Sequence, residues 1–126
     1  MKRSKNNLIK EEELFYKGLD SFNCKKYYDA HEYWEELWLN YKLKDAKCIQ
    51  GLIQLAVSYF HFYNDNIKGA KSMALKCLSK FENYKINRGI DISSLVLEIE
   101  SLIEEYSSAS ASKIGVNNIR IKVIHE

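Results

Sequence analysis

The chemically useful residues of this chain fall in two short stretches: His31, Glu32 and Glu35 in the first, Gln50, Gln54 and His61 in the second. In a helix, the spacing His31-x-x-x-Glu35 sets an imidazole and a carboxylate one turn apart on the same side. Such a pair can act as a general base. Joined by an imidazole from a facing helix, it can also ligate a metal ion, so His31, Glu35 and His61, with Glu32 beside them, form a candidate set for a divalent transition metal. The pattern is His-Glu-x-x-Glu and not the His-Glu-x-x-His of zinc proteases. His125 belongs to the tail, which leaves two histidines for a closed site that wants four ligands. The same groups also make a self-sufficient hydrogen-bonded cluster, His31–Glu35–Gln54–His61, that fixes the register of two helices. Cys24, Cys48 and Cys77 are the candidate nucleophiles, but none adjoins a candidate histidine. The chain has no glycine-rich phosphate loop, serine nucleophile elbow or dinucleotide fingerprint, and no cofactor is identified.

Positioning these groups falls to helices. At about 100° per residue, Tyr27, His31, Trp34, Trp38 and Tyr41 share one side of a helix running to about Tyr41, with Glu35 at its border and Glu32 and Glu36 pointing away. Trp38 then forms an apolar wall of the candidate site. The next helix, about Asp45 to Asn64, is apolar nearly all round, which places it in the middle of a domain. Its polar residues Gln50, Gln54, Ser58 and His61 lie within roughly 80° of one another. A buried amide or imidazole without a partner costs about 1–3 kcal/mol, so this stripe must meet water or the His31 helix. A short turn makes those two helices antiparallel neighbours. A first helix spans about Lys10 to Phe22, with Glu11, Glu12 and Glu13 in its first turn. A fourth, capped by Asp65 or Asn66, covers about Ile67 to Tyr84, and a fifth, capped by Asp91 or Ser93, runs to about Tyr106. Residues 1–8 read as frayed and Ser107–Ser112 as a small-residue linker. Beyond it, Ile119, Ile121 and Val123 alternate with Arg120 and Lys122, a lone strand signal. That segment is disordered, pairs across a homo-oligomer, or docks on the bundle.

The reading is an all-α bundle of about five helices over residues 1–106, with a strand-like or disordered tail over 107–126. At 126 residues, 46% hydrophobic and 29% charged, the chain is one domain with a real core. A formal charge of +2 with interleaved lysines and acids argues against nucleic acid as a partner. The uncharged run from Cys48 to Asn64 is short and polar for a membrane span, and no signal peptide follows the basic start. Three widely spaced cysteines read as free thiols in a reducing cytoplasm. Gly18 followed by Ala30, with a looser Gly51 and Ala70, suggests helical hairpins of the tetratricopeptide kind that serve as an interaction module.

The order of motifs Phe22-Asn23, Tyr27-x-x-Ala30-His31-Glu32-x-x-Glu35-x-x-Trp38, Gln50-Gly51-Leu52-Ile53-Gln54-x-Ala56, His61 and Asn66-x-x-Gly69-Ala70 resembles the domain-of-unknown-function family numbered 309. The resemblance covers about Phe15 to Phe81. It implies a compact helical bundle and an inward-facing polar set, and supplies no reaction. Lys25 stands where many members carry glycine in the turn after the asparagine. The functional readings are therefore a His/Glu/Gln cluster with a structural or ligand-binding role, a metal-binding and hydrolytic bundle, and a helical-hairpin interaction module.

Overall fold

The computed structural model describes residues 5–108, 111 and 115–124. The expectations for residues 1–4, for half of the linker and for His125 lie outside them. Five helices follow in order: α1 Lys5–Asn23, α2 Tyr27–Asn40, α3 Ala46–Tyr63, α4 Ile67–Lys80 and α5 Ile92–Tyr106. Each packs chiefly on its chain neighbours α1 on α2, α2 on α3 and α3 on α4, with α5 against α4. Between α4 and α5 a two-stranded hairpin, β1 Ile86–Asn87 and β2 Ile90–Asp91, turns at Arg88 and Gly89. Both turn residues have positive φ (50° and 79°), the backbone that matches the twist of paired strands. Among the described residues no helix is long and apolar enough to cross a membrane.

The first four helices are one motif used twice, at an offset of forty residues. Phe15, Leu19 and Phe22 of α1 are buried, and so are Leu55, Tyr59 and Phe62 of α3; Ala30, Trp34 and Leu37 of α2 match Ala70, Ala74 and Cys77 of α4. The connecting turns repeat as well. Lys25 (φ 63°) and Asp65 (φ 59°) are each left-handed, and Lys26 N–H donates to Ser21 O at 2.8 Å as Asn66 N–H donates to His61 O at 2.9 Å. These bonds satisfy carbonyls that the helix end leaves open. Lys25 thus keeps the left-handed turn that glycine would make without strain. The small residue at the matching place of each hairpin is Gly18, against the Trp34 ring, in the first and Ser58, against Ala70, in the second. The expected partner Gly51 instead admits the Phe81 ring, 2.8 Å from where its Cβ would lie. Ser58 is buried and donates to Ala70 O at 2.7 Å.

Boundaries shift in places. α1 starts at Lys5, which moves Glu11–Glu13 out of its first turn, and Glu11 is buried. α4 stops at Lys80 because Phe81 folds back under Gly51 and Asn83 turns left-handed. Asn66 and Asp91 are the helix caps, accepting from Gly69 N–H at 2.9 Å and Ser94 N–H at 3.1 Å. The tail docks on the bundle: Ile119 and Ile121 are buried, Val123 bridges Ile90, and Ile124 N–H donates to Gly89 O at 2.8 Å.

Candidate functional site

The sequence places its candidate groups along the seam of α2 and α3, and the two helices do pack there, antiparallel: Tyr27 at the start of α2 stacks on Tyr59 and Tyr63 at the end of α3. The buried side of α2 is Tyr27, Ala30, Trp34 and Leu37. It is rotated by about 40° from the aromatic stripe read from the sequence, at 100° per residue. The rotation brings His31 and Trp38 to the rim. Trp38 is 36% exposed. His31 Nε2 meets Glu35 Oε2 at 3.2 Å and its Nδ1 lies 3.2 Å from the Tyr28 carbonyl, which orients the ring from both nitrogens. Glu35 is half exposed, and Glu32 is exposed and hydrogen-bonded to the Tyr28 hydroxyl.

His61 does not join His31. Its Nδ1 lies 3.4 Å from Asn66 Nδ2, on the α3–α4 turn. The two imidazoles are linked through a row of tilted ring contacts: His31 to Tyr28 at 5.4 Å, Tyr28 to Phe60 at 5.5 Å, and Phe60 to His61 at 6.4 Å between centroids. Among the described residues no three His, Cys, Asp or Glu side chains stand together so as to hold a metal ion, so His31, Glu35 and His61 are not gathered into a ligand set. Cys24 is exposed, and Cys48 and Cys77 are buried. Burial pushes the Cys48 and Cys77 thiols up to about 12, far from the thiolate a nucleophile needs at neutral pH.

The polar stripe of α3 divides. Ser58 turns to α4 and α5, where its hydroxyl also reaches the Tyr106 hydroxyl at 3.1 Å. Gln50 and Gln54 are half-buried. Among the described residues the Gln54 Oε1 atom is buried without a hydrogen-bond partner. An orphaned acceptor of this kind costs about 1–3 kcal/mol, so Gln54→Met, which keeps the length and removes the amide, raises stability by about 1 kcal/mol. Urea denaturation at pH 7 checks it, and a loss of stability would mean that the amide has a partner worth more than its burial costs.

The sequence reading missed what surrounds the His31–Glu35 pair. Tyr28 is 50% exposed and Phe60 39%, and with Trp38 they make an aromatic border to a helix whose charges are all of one sign. From Tyr27 to Asn40 there are four acids, Asp29, Glu32, Glu35 and Glu36, and no Lys or Arg. The opposite holds for α4, with Lys68, Lys71, Lys76 and Lys80 and no acid. The hydrogen bond to Glu32, with the charges of Glu32, Glu35 and Asp29, raises the Tyr28 phenol above its ordinary range. A count of charge per helix would have found this; the near-neutral total hides it.

Residues 15–73 match the family described as a domain of unknown function, DUF309. An uncharacterised protein of Aquifex aeolicus is 31% identical over 100 residues, covering 78% of this chain and 29% of that protein. The uncharacterised protein YpuF of Bacillus subtilis is 29% identical over 104 residues, covering 79% of this chain and 60% of YpuF. The chain thus spans less than two thirds of either relative. No solved structure matches it.

Proposed function

We propose that this DUF309 domain is an interaction module whose outer α2 face takes a basic protein segment. One observation carries the reading: four exposed carboxylates with no basic residue among them, bordered by the solvent-facing rings of Tyr28, Trp38 and Phe60. A lysine or arginine head group laid over an aromatic face within about 6 Å gains roughly 0.5–1 kcal/mol at an exposed site. Charge-assisted hydrogen bonds to nearby carboxylates add to this. Glu32 and Glu35 both act on Tyr28, with His31 holding Glu35 in place. The chain as a whole is positive, so the acidity belongs to the face and not to the protein.

The test is fluorescence anisotropy with a labelled peptide of alternating Lys and Gly, at roughly 20 and roughly 200 mM salt, since screening weakens exposed pairs. The Glu32→Gln/Glu35→Gln variant lowers affinity about tenfold, and Tyr28→Ala lowers it several-fold at unchanged melting temperature. Helix α5 supplies the control: it carries Glu98, Glu100, Glu104 and Glu105 without a basic residue, but no aromatic border. If Glu98→Gln/Glu104→Gln weakens binding as much as the α2 pair does, the attraction is general charge and the proposal fails.

A further inference from the structure

The end of the bundle where both helical turns lie holds a second site, independent of the α2 face. There the chain's own residues 117–121 lie extended across the turn between α1 and α2 and the last turn of α3. Asn23 grips Ile121 in both directions: its Nδ2 donates to Ile121 O at 2.8 Å, and Ile121 N–H donates to its Oδ1 at 2.8 Å. One hydroxyl bonds the two alternate residues before it. Tyr59 Oη donates to Asn117 O at 2.8 Å and accepts from Ile119 N–H at 2.9 Å. Four backbone groups are therefore read, at alternate residues, which is how a strand is recognised at a sheet edge. Asn118 is the one polar side chain read. Its Nδ2 donates to Tyr27 Oη at 2.6 Å and its Oδ1 accepts from Tyr63 Oη at 3.0 Å. The three tyrosines hold one another in place, with Tyr27 stacked on Tyr59 at 4.6 Å and on Tyr63 at 6.0 Å. Ile119 and Ile121 are buried, while Arg120 and Lys122 stay exposed.

Asn23, Tyr27, Tyr59 and Tyr63 all lie inside the DUF309 match over 15–73, and the segment they hold lies outside it. The domain thus carries a trough whose donors and acceptors are met by the tail. Tyr59 is fully buried with the tail in place, so if that strand leaves, water or another segment must take up the two bonds of its hydroxyl. We propose that this trough is a peptide-binding site for an extended segment of a partner protein, with an asparagine followed one and three residues later by branched apolar residues, and that residues 117–121 fill it in cis. Backbone contacts make the site tolerant at the position between the two apolar residues, where Arg120 faces water, and selective for asparagine and for the two apolar side chains.

The test uses the full chain and a fluorescein-labelled peptide of residues 116–124, Val-Asn-Asn-Ile-Arg-Ile-Lys-Val-Ile. Ile121→Asp places a charge where the buried side chain sits and releases the tail; Asn118→Ala is the milder release. Circular dichroism confirms retained helix in each. The released chains bind the peptide at least tenfold more tightly than wild type, and adding Asn23→Ala removes about tenfold of that affinity. A peptide with Asp at the Ile121 position does not bind. Two results overturn the proposal: released, folded chains that ignore the peptide, or loss of helix in both variants, which would make the tail an inseparable part of the core. A wild-type dimer that Ile121→Asp dissolves would overturn it in favour of the tail of a second copy as the occupant.

Discussion

Gly18→Ala destabilises the fold by about 2–3 kcal/mol, and Trp34→Phe in the same chain recovers at least 1 kcal/mol of that loss. A Cβ at Gly18 would stand 2.2 Å from Trp34 Nε1, 2.5 Å from Cδ1 and 2.6 Å from Cε2, far inside van der Waals contact. The indole has nowhere to go. It is fully buried, and its Nε1–H is held by the Phe15 carbonyl at 3.0 Å, one turn before the glycine. Overpacking a closed core by one methyl costs roughly 1–3 kcal/mol, and the fixed ring puts this site at the upper end. Phenylalanine lacks the Nε1 edge that the new methyl strikes, so the two substitutions are not additive. Trp34→Phe alone loses packing and one hydrogen bond, about 1–2 kcal/mol. A double-mutant cycle by urea denaturation at pH 7 measures the coupling. Additive losses would mean that α1 moves away from α2 to admit the methyl, and the proposed close contact would not be what holds the hairpin.

That contact also shows what the sequence makes legible. Gly18 and Ala30 stand out because a glycine and an alanine inside helices have few uses other than close packing. Their counterparts forty residues on are Ser58 and Ala70, and a buried serine looks like part of a polar stripe until its bond to Ala70 O is seen. Periodicity finds the helices, and the caps Asn66 and Asp91 follow from side chains that bond to the backbone of their own turn. It misplaces the buried side of α2 because Trp38, Tyr41 and His31 carry more weight by eye than Ala30 and Leu37, which occupy the centre. The pairing of His31 with Glu35 is a local consequence of one helical turn. Whether His61 joins them depends on the Tyr28 and Phe60 rings set in a row between the two imidazoles, which no spacing rule encodes. The docked tail is the extreme case. Asn23 and Ile121 are 98 positions apart, and their bonds use groups that any asparagine and any backbone possess.

Asp45→Ala costs about 2–3 kcal/mol at neutral pH, and most of that difference from wild type disappears in acid. Asp45 precedes α3 but caps nothing with its side chain. Its carboxylate instead accepts from Arg88 Nε at 2.6 Å and Nη2 at 3.1 Å, and from Asn87 Nδ2 at 2.8 Å. Arg88 in turn lies over the Phe15 ring at 5.0 Å. One carboxylate thereby ties the start of α3 to the β-hairpin and, through Arg88, to α1. With side chains 14% and 23% exposed, the pair stands between the surface case, worth at most about 1 kcal/mol, and the buried case, where losing one partner costs about 3–5 kcal/mol. Burial by itself would raise the Asp45 carboxyl, but the hydrogen bonds from Arg88 and Asn87 and the Arg88 charge outweigh it and hold it below the ordinary range. A folded-state value below the unfolded one gives stability that is present above about pH 4 and is lost as pH falls through the folded value. Urea denaturation of wild type and Asp45→Ala at pH 7, 4 and roughly 2.5 follows this. The gap is full at pH 7 and narrows below pH 4, because wild type loses the carboxylate that the variant already lacks. A gap that stays constant down to pH 2.5 would assign the loss to packing around the α3 start and not to the ion pair. Arg88→Met then separates the two halves of the tie: it removes the charge and leaves an apolar chain over Phe15, so it costs less than Asp45→Ala, which strands the guanidinium between α1 and α3.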